Sequence, residues 1–102
     1  MTTQGKSTSS PDFHLRGESQ MWGLVAGPDG ALWMTDDLGN RIICLSVQRG
    51  VREFRLPTAE AGPADITVGP DGALWFVEAH ANKLGRITTA GAIHEYPFPP
   101  SH

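Results

Sequence analysis

The sequence predicts an all-β fold built from two four-stranded antiparallel β-propeller blades. A heptapeptide, Gly-Pro-Asp-Gly-Ala-Leu-Trp, occupies residues 27–33 and returns unchanged at residues 69–75, a shift of 42 residues. Propeller blades repeat at roughly 40 to 45 residues. Pro-Asp-Gly also favours a tight turn, because proline fixes φ, the aspartate side chain hydrogen-bonds to nearby backbone and glycine accepts positive φ. A helical hairpin repeat of similar length would not tolerate this turn within its unit.

Each turn lies between short β-rich runs, which is the pattern of a hairpin. The first unit covers residues 20–57, the second covers residues 62–99, and the two align without a gap. The strands are predicted at residues 22–26, 31–35, 41–47 and 51–56, and at residues 64–68, 73–77, 83–89 and 92–97. Residues 11–16 resemble the last strand of each unit and predict a stray outer strand, whereas residues 1–10 have the composition of a disordered tail.

The second strand of each unit is a continuous apolar run, which is typical of a strand covered on both faces. Stacked blades would cover it in this way, and we therefore expect Trp33 and Trp75 to lie in the core. Asn40 and Asn82 occupy matching turn positions, where asparagine tolerates the left-handed conformation.

Two blades do not close a propeller, which needs about four to eight. Each sheet would cover one face of the other and leave an apolar face exposed. The chain is therefore a piece of a longer protein or a degenerate gene, a subunit of a ring closed by oligomerisation, or a small sandwich of two sheets. We favour the first, because a six-blade ring of three copies would make the strand at residues 11–16 redundant in every copy.

Composition excludes several partners. The net charge is −3 with only eight Lys and Arg residues, which argues against nucleic acid and against an anionic membrane surface. The sequence shows neither a signal peptide nor an apolar run of about 18 residues, so a cytoplasmic location is expected. Cys44 is the one cysteine, which excludes an internal disulfide and indicates a small buried hydrophobe.

The second unit resembles the blade repeat of streptogramin B lyases, also called virginiamycin B lyases. Three segments carry the resemblance: Gly-Pro-Asp-Gly-Ala-Leu-Trp-Phe-Val-Glu at 69–78, Asn-Lys-Leu-Gly-Arg-Ile-Thr at 82–88, and Glu-Tyr-Pro at 95–97. The resemblance implies a seven-bladed propeller of nearly three times this length, of which this chain supplies about two blades. It also implies a magnesium-dependent lyase that opens the ester of cyclic depsipeptide antibiotics by elimination. A histidine base would remove the proton alpha to the carbonyl while Mg²⁺ stabilises the developing charge.

The resemblance also assigns candidate site residues. The family's base histidine follows a proline at the start of an innermost strand, and here that slot holds Trp22 in the first unit and Ala64 in the second. Neither side chain accepts a proton, so whether the chain is itself an enzyme is left open. Trp22 is predicted either to stack on a substrate or to pack between blades. The family's acid after the Trp-Phe pair is matched by Glu78 and approximately by Asp36, which are candidate magnesium ligands or strand-end caps.

The function predicted from the sequence is thus that of a streptogramin B lyase-like propeller protein or fragment. The alternative is a noncatalytic binding or assembly module built from blades. The expected partners are further propeller blades or other copies of the chain, together with a small cyclic peptide ligand. His80 follows Glu78 by two residues, but its repeat mate is Leu38, so we expect a solvated turn histidine.

Overall fold

The computed structural model describes residues 20–98, which form eight strands in two antiparallel sheets. The first sheet contains β1 (Met21–Ala26), β2 (Leu32–Asp36), β3 (Arg41–Ser46) and β4 (Gly50–Arg55), and the second contains β5 (Pro63–Val68), β6 (Leu74–Glu78), β7 (Lys83–Ile87) and β8 (Ile93–Pro97). The strands of each sheet lie in chain order. The predicted all-β fold with two four-stranded blades is confirmed, and every strand end lies within two residues of its predicted position. The tail at residues 1–10, the strand at residues 11–16 and residues 99–102 lie outside the described residues.

In each blade, the aspartate of the repeated heptapeptide hydrogen-bonds both to the turn and to the tryptophan of the same heptapeptide. In the second blade, Asp71 Oδ1 accepts hydrogen bonds from the backbone amide two residues later and from Trp75 Nε1, both at 3.1 Å. Asp29 makes the same two bonds in the first blade. Gly30 and Gly72 follow these aspartates with φ of 82°, a conformation that glycine adopts at little cost. The aspartate therefore closes the turn and also anchors the tryptophan of the next strand.

The two sheets pack face to face, and alternate residues of each strand point into the space between them. The first blade turns Trp33 and Thr35 of β2 inward, and the second turns Leu74, Phe76 and Glu78 of β6 inward. Because the two equivalent sheets are stacked in the same orientation, opposite faces of the repeat meet between them. The buried core residues are Ala31, Trp33, Ile42, Cys44, Leu56, Ala61, Ile66, Leu74, Phe76 and Ile87.

The connection between the blades is fixed by Asn40. Its Nδ2 donates to the Thr58 carbonyl at 2.9 Å, and its Oδ1 accepts from the Ala61 amide at 2.9 Å. Asn40 has a φ of 53° and Asn82 a φ of 57°, so the predicted left-handed conformation is confirmed at both turns. The contacts between the sheets are concentrated on β1 and β5, the innermost strands of blades that radiate from an axis, and β2 also packs against β5.

One expectation about the core is wrong. Trp33 is fully buried, as predicted, but Trp75 is partly exposed, and Leu32 on the opposite face of the first blade is 44% exposed. The continuous apolar runs are suited to coverage on both faces, whereas each of the two sheets covers only one face of the other. Cys44 is buried and free, and its burial raises the pKa of the thiol. In the described part of the chain there is no helix with the length and hydropathy needed to span a membrane.

Candidate functional site

A cleft of about 200 Å³ opens between the blades at the beginning of β1 and β5. It is lined by Trp22, Asp37, Gly62, Pro63, Ala64, Ala79 and His80. Trp22 and Ala64 are repeat mates, and they occupy the two positions to which the family resemblance assigns the base histidine. Both residues line this cleft. We call this site the Trp22 cleft.

A β-bulge sets the direction of Trp22. The register between β1 and β2 shifts between Met21 and Leu24, and the register between β5 and β6 shifts at the equivalent point. Such a bulge sets two residues against one on the partner strand and redirects a side chain. The Trp22 side chain is 59% exposed, and its Nε1 donates to Asp37 Oδ2 at 3.3 Å. The indole is thus tethered at its edge while much of its surface stays open, which is compatible both with stacking on a ligand and with packing against a further blade.

The opposite wall of the cleft is formed by His80 and Gly62. The backbone amide of His80 donates to the Ala61 carbonyl at 3.0 Å, and its ring lies against Gly62. A Cβ at Gly62 would lie 2.6 Å from the ring carbon Cγ of His80, and the φ of Gly62 is 70°, so this position requires glycine. His80 is exposed and occupies a turn, as expected, but it also lines the cleft. No signal in the sequence could have shown this, because the repeat mate of His80 is a leucine.

Asp36 lies at the end of β2, where its carboxylate is completely buried and engaged by three donors. Its Oδ1 accepts from the amides of Gln20 and Gly39, and its Oδ2 accepts from Arg41 Nε at 2.7 Å. Burial alone would raise the pKa of Asp36, but these hydrogen bonds and the charge of Arg41 hold it below its usual range. Asp36 therefore acts as a structural carboxylate that closes the strand end and orients Arg41.

Glu78, the repeat mate of Asp36, has a different environment. Its carboxyl group is completely buried beside Glu95, and neither of its oxygens accepts a hydrogen bond from a donor in residues 20–98. Burial and the neighbouring Glu95 together raise the pKa of Glu78 to about 8. Glu95 stays ionised, because the neighbouring Glu78, the hydrogen bond from Thr58 and the charge of Lys83 more than offset the effect of its burial and lower its pKa. At neutral pH the two groups therefore share one proton.

These two acids do not fit a magnesium ion. Mg²⁺ is bound by ionised oxygen ligands that are free to coordinate. The Asp36 carboxylate is already engaged by three N–H donors, and the carboxyl group of Glu78 is fully buried beside Glu95 rather than in the Trp22 cleft. Within residues 20–98 no group of three or more His, Cys, Asp or Glu side chains is placed to hold a metal. We therefore derive no catalytic step through magnesium from this chain, and the prediction of Mg²⁺ rests on the family resemblance alone.

Sequence comparison connects this architecture with a known family. The whole chain, residues 1–102, matches the family model described as the Virginiamycin B lyase family. The virginiamycin B lyase of Bordetella bronchiseptica is 42% identical over 50 residues, which is 49% of this chain and 17% of that protein.

Comparison with solved structures identifies the same family. The virginiamycin B lyase of Staphylococcus aureus superimposes with a TM-score of 0.82 at 42% identity, over 86% of this chain and 30% of that one. A streptogramin B lyase superimposes with a TM-score of 0.80 at 40% identity, over 85% of this chain and 30% of that one. The chain thus spans less than a third of the length of these relatives. Since both its sequence and its blade architecture match theirs, the chain belongs to the virginiamycin B lyase family.

Proposed function

We propose that this chain supplies two blades of a streptogramin B lyase-type propeller, and that the complete ring opens the ester of cyclic depsipeptides by magnesium-dependent elimination. The main support is the blade pair itself, which matches the Staphylococcus aureus enzyme with a TM-score of 0.82 at 42% identity. In this proposal the other blades come from outside the two described sheets, because a ring needs about four to eight.

The Trp22 cleft is the part of the substrate-binding surface that this chain contributes. At about 200 Å³ it is smaller than the roughly 300 to 1,000 Å³ of complete small-molecule pockets, so it accommodates one side chain or one segment of a cyclic peptide. The exposed face of Trp22 provides a flat apolar surface against which an aromatic ring or a peptide plane can stack.

The proton-transfer groups are assigned to other blades. Elimination needs a base close to the proton alpha to the carbonyl, and preorganised positive charge or hydrogen-bond donors for the charge that develops. Trp22 and Ala64 occupy the two base slots and cannot accept a proton. The contribution of this chain is accordingly to bind the substrate and to hold the neighbouring blades in position.

Quinupristin is a suitable test ligand, because a catalytically inactive virginiamycin B lyase from Staphylococcus aureus has been solved with it. We expect it to quench the tryptophan fluorescence of this chain saturably and Trp22→Ala to abolish the change. Val47→Ala, which alters an 81% exposed residue remote from the cleft, should leave it intact. Binding that is absent, or that is unaffected by Trp22→Ala, would contradict the role of the cleft.

Mass spectrometry of the same mixtures with Mg²⁺ tests the assignment of the base. Elimination opens the ring without a change of mass, whereas hydrolysis adds one water, so chromatography and mass together distinguish the two reactions. We expect the chain alone to give no opened product. Eliminative opening that is lost in His80→Gln would show that the base lies in this chain after all.

A second function is favoured by a different observation. Leu24 on the first blade is 63% exposed and Tyr96 on the second is 45% exposed, so apolar surface is available on both outer faces. A noncatalytic module that binds or assembles other blades would use these faces rather than the cleft. Such a module would associate with blades and would not bind quinupristin.

A further inference from the structure

A small polar pocket lies at the end of the first blade that is opposite to the Trp22 cleft. The β1–β2 turn and the β3–β4 turn meet at that end, because the antiparallel strands of the sheet lie in chain order. The pocket has a volume of about 70 Å³. It is lined by Asp29, Ala31, Ser46, Gln48, Arg49 and Arg52. We call it the Arg52 pocket, and all of its lining belongs to a single blade.

The guanidinium group of Arg52 is held in place by aromatic rings rather than by an acid. It lies 5.9 Å from the ring centroid of Trp33 and 5.5 Å from that of Phe54, distances at which a cation is attracted to an aromatic face. Its Nη2 donates to Cys44 Sγ at 3.4 Å, and sulfur is a weak acceptor. Among residues 20–98 no carboxylate forms an ion pair with Arg52, so its charge is positioned without an acidic partner.

The β3–β4 turn supplies further hydrogen-bond donors to the pocket. Ser46 Oγ accepts from the backbone amides of Gln48 and Arg49, both at 3.2 Å, and this closes the turn. The hydroxyl hydrogen of Ser46 is therefore still available to donate. The side chains of Gln48 and Arg49 line the pocket and make no hydrogen bond or ion pair in the part of the chain that the structure describes. The pocket thus brings together four side chains that can donate.

Asp29 contributes the one negative charge of the lining. Its Oδ1 is occupied, because it accepts from the Ala31 amide at 3.2 Å and from Trp33 Nε1 at 3.1 Å. With two arginines against one aspartate, the lining carries a net charge of one positive unit. The pocket therefore favours an anion over a cation.

The second blade forms the same turns without these cations. The repeat mates of the two arginines are Gly91 and His94. The arginine that the second blade does place at this end, Arg86, donates through Nε to Oδ2 of the turn aspartate Asp71 at 2.8 Å. The turn geometry of a blade therefore does not require two arginines without acidic partners, and their presence in the first blade calls for a ligand.

We propose that the Arg52 pocket binds a tetrahedral oxyanion, namely a phosphate or sulfate group. Such a group presents more oxygens, in more directions, than the two of a carboxylate, and this matches four donor side chains. Since a water takes roughly 30 Å³ in the liquid, a pocket of about 70 Å³ admits one such group rather than a whole nucleotide. The site is independent of the lyase-type function proposed above, because the pocket and the cleft lie at opposite ends of the blade.

A nuclear magnetic resonance titration of the full labelled chain with inorganic phosphate, at an ionic strength held constant with sodium chloride, tests the site. We expect saturable shifts of the backbone amide signals of Gln48, Arg49 and Gly50. Sulfate should shift the same signals, and the tighter of the two anions indicates which group the natural ligand carries. Acetate should bind about fivefold more weakly or less, because it has fewer acceptor oxygens. No saturable shift, or an equal affinity for acetate, would overturn the proposal.

Three variants distinguish a built site from general attraction. Arg49→Gln removes one cation from an exposed turn and should weaken phosphate binding about fivefold to tenfold. Asp29→Asn removes the opposing charge but keeps an Oδ1 that can accept the turn bonds, so it should strengthen binding several-fold. Arg55→Gln is the matched control, because it removes the same charge from an exposed residue at the other end of β4 and should leave binding unchanged.

Circular dichroism should show that all three variants remain folded. Equal weakening by Arg49→Gln and Arg55→Gln would reveal only general electrostatic attraction and would overturn the proposal. A folded Asp29→Asn chain that binds phosphate more weakly would also overturn it.

Discussion

The buried carboxyl group of Glu78 lies beside Glu95, whereas the guanidinium group of Arg41 joins the equivalent acids of the first blade, Asp36 and Glu53. The difference arises at one repeat position, which holds arginine in the first blade and Lys83 in the second. Arg41 reaches Asp36 through Nε at 2.7 Å and Glu53 through Nη1 at 2.5 Å, because a guanidinium can donate in two directions. Lys83 carries a single ammonium group, which lies 3.6 Å from Glu95. Glu78 therefore keeps its proton.

This acid pair should make stability depend on pH. Folding raises the pKa of Glu78 from its ordinary value of 4.5 to about 8, so between these values the folded chain holds a proton that the unfolded chain has released. The free energy of unfolding should therefore be highest near the lower pH and fall by on the order of 1 kcal/mol per pH unit as the pH approaches 8. Urea denaturation at half-unit pH intervals measures this slope.

Two variants control for other titrating groups. Glu78→Gln cannot ionise, so the decline in the free energy of unfolding should flatten. Lys83→Arg introduces the side chain of the first blade, which should bridge Glu78 and Glu95, lower the pKa of Glu78 and also flatten the curve. A wild-type stability that is constant or rises between pH 5 and about 8 would contradict the shared proton.

The hydroxyl of Thr35 links the two blades, since it accepts from the Gly23 amide at 2.9 Å and donates to the Ala64 carbonyl at 2.5 Å. Thr35→Val keeps the shape but leaves both backbone groups unpaired, so the free energy of unfolding should fall by about 1 to 3 kcal/mol. The matched control is Val77→Thr at the equivalent outward position, which should change it little. Equal effects of the two substitutions, measured by urea denaturation, would contradict a hydrogen bond that joins the blades.

Asp29 and Asp71 make the same turn bonds in different surroundings. Trp33, which bonds to Asp29, is fully buried, whereas Trp75, which bonds to Asp71, is partly exposed. Without the carboxylate, the indole N–H of Trp33 would be an unpaired donor on a buried ring, whereas water can reach Trp75 more easily. Asp29→Ala should therefore lower the free energy of unfolding by about 1 to 3 kcal/mol, and Asp71→Ala by less. Thermal unfolding of the two variants provides the comparison, and the reverse order would contradict this explanation.

The sequence predicts those features of the fold that depend on residues close together in the chain. The Pro-Asp-Gly turns, the left-handed Asn40 and Asn82, and the strand bounds follow from residues that lie close together in the chain. The family motif also assigned Trp22 to the start of an innermost strand, where its side chain lines the cleft; its contact with a substrate stays a prediction.

The errors concern which face of each repeat is covered. An internal repeat shows that Trp33 and Trp75 are equivalent, but only the packing of two sheets decides that one is buried and the other partly exposed. The different surroundings of the two repeat-mate acids could not be predicted from the repeat either. Arg41, across the next turn, engages Asp36, whereas Glu78 is buried beside Glu95 from the last strand of its blade.

The most direct test of the account is a nuclear magnetic resonance titration of the labelled chain with quinupristin, observed at the indole N–H signals. The chain has three tryptophans, and each reports on a different place: Trp22 in the cleft, Trp33 in the core and Trp75 on the outward face. The account predicts a saturable shift of the Trp22 signal, with Trp33 and Trp75 unchanged at concentrations where the chain is monomeric. A shift confined to Trp75, or no shift at all, would contradict the assignment of the Trp22 cleft to substrate binding.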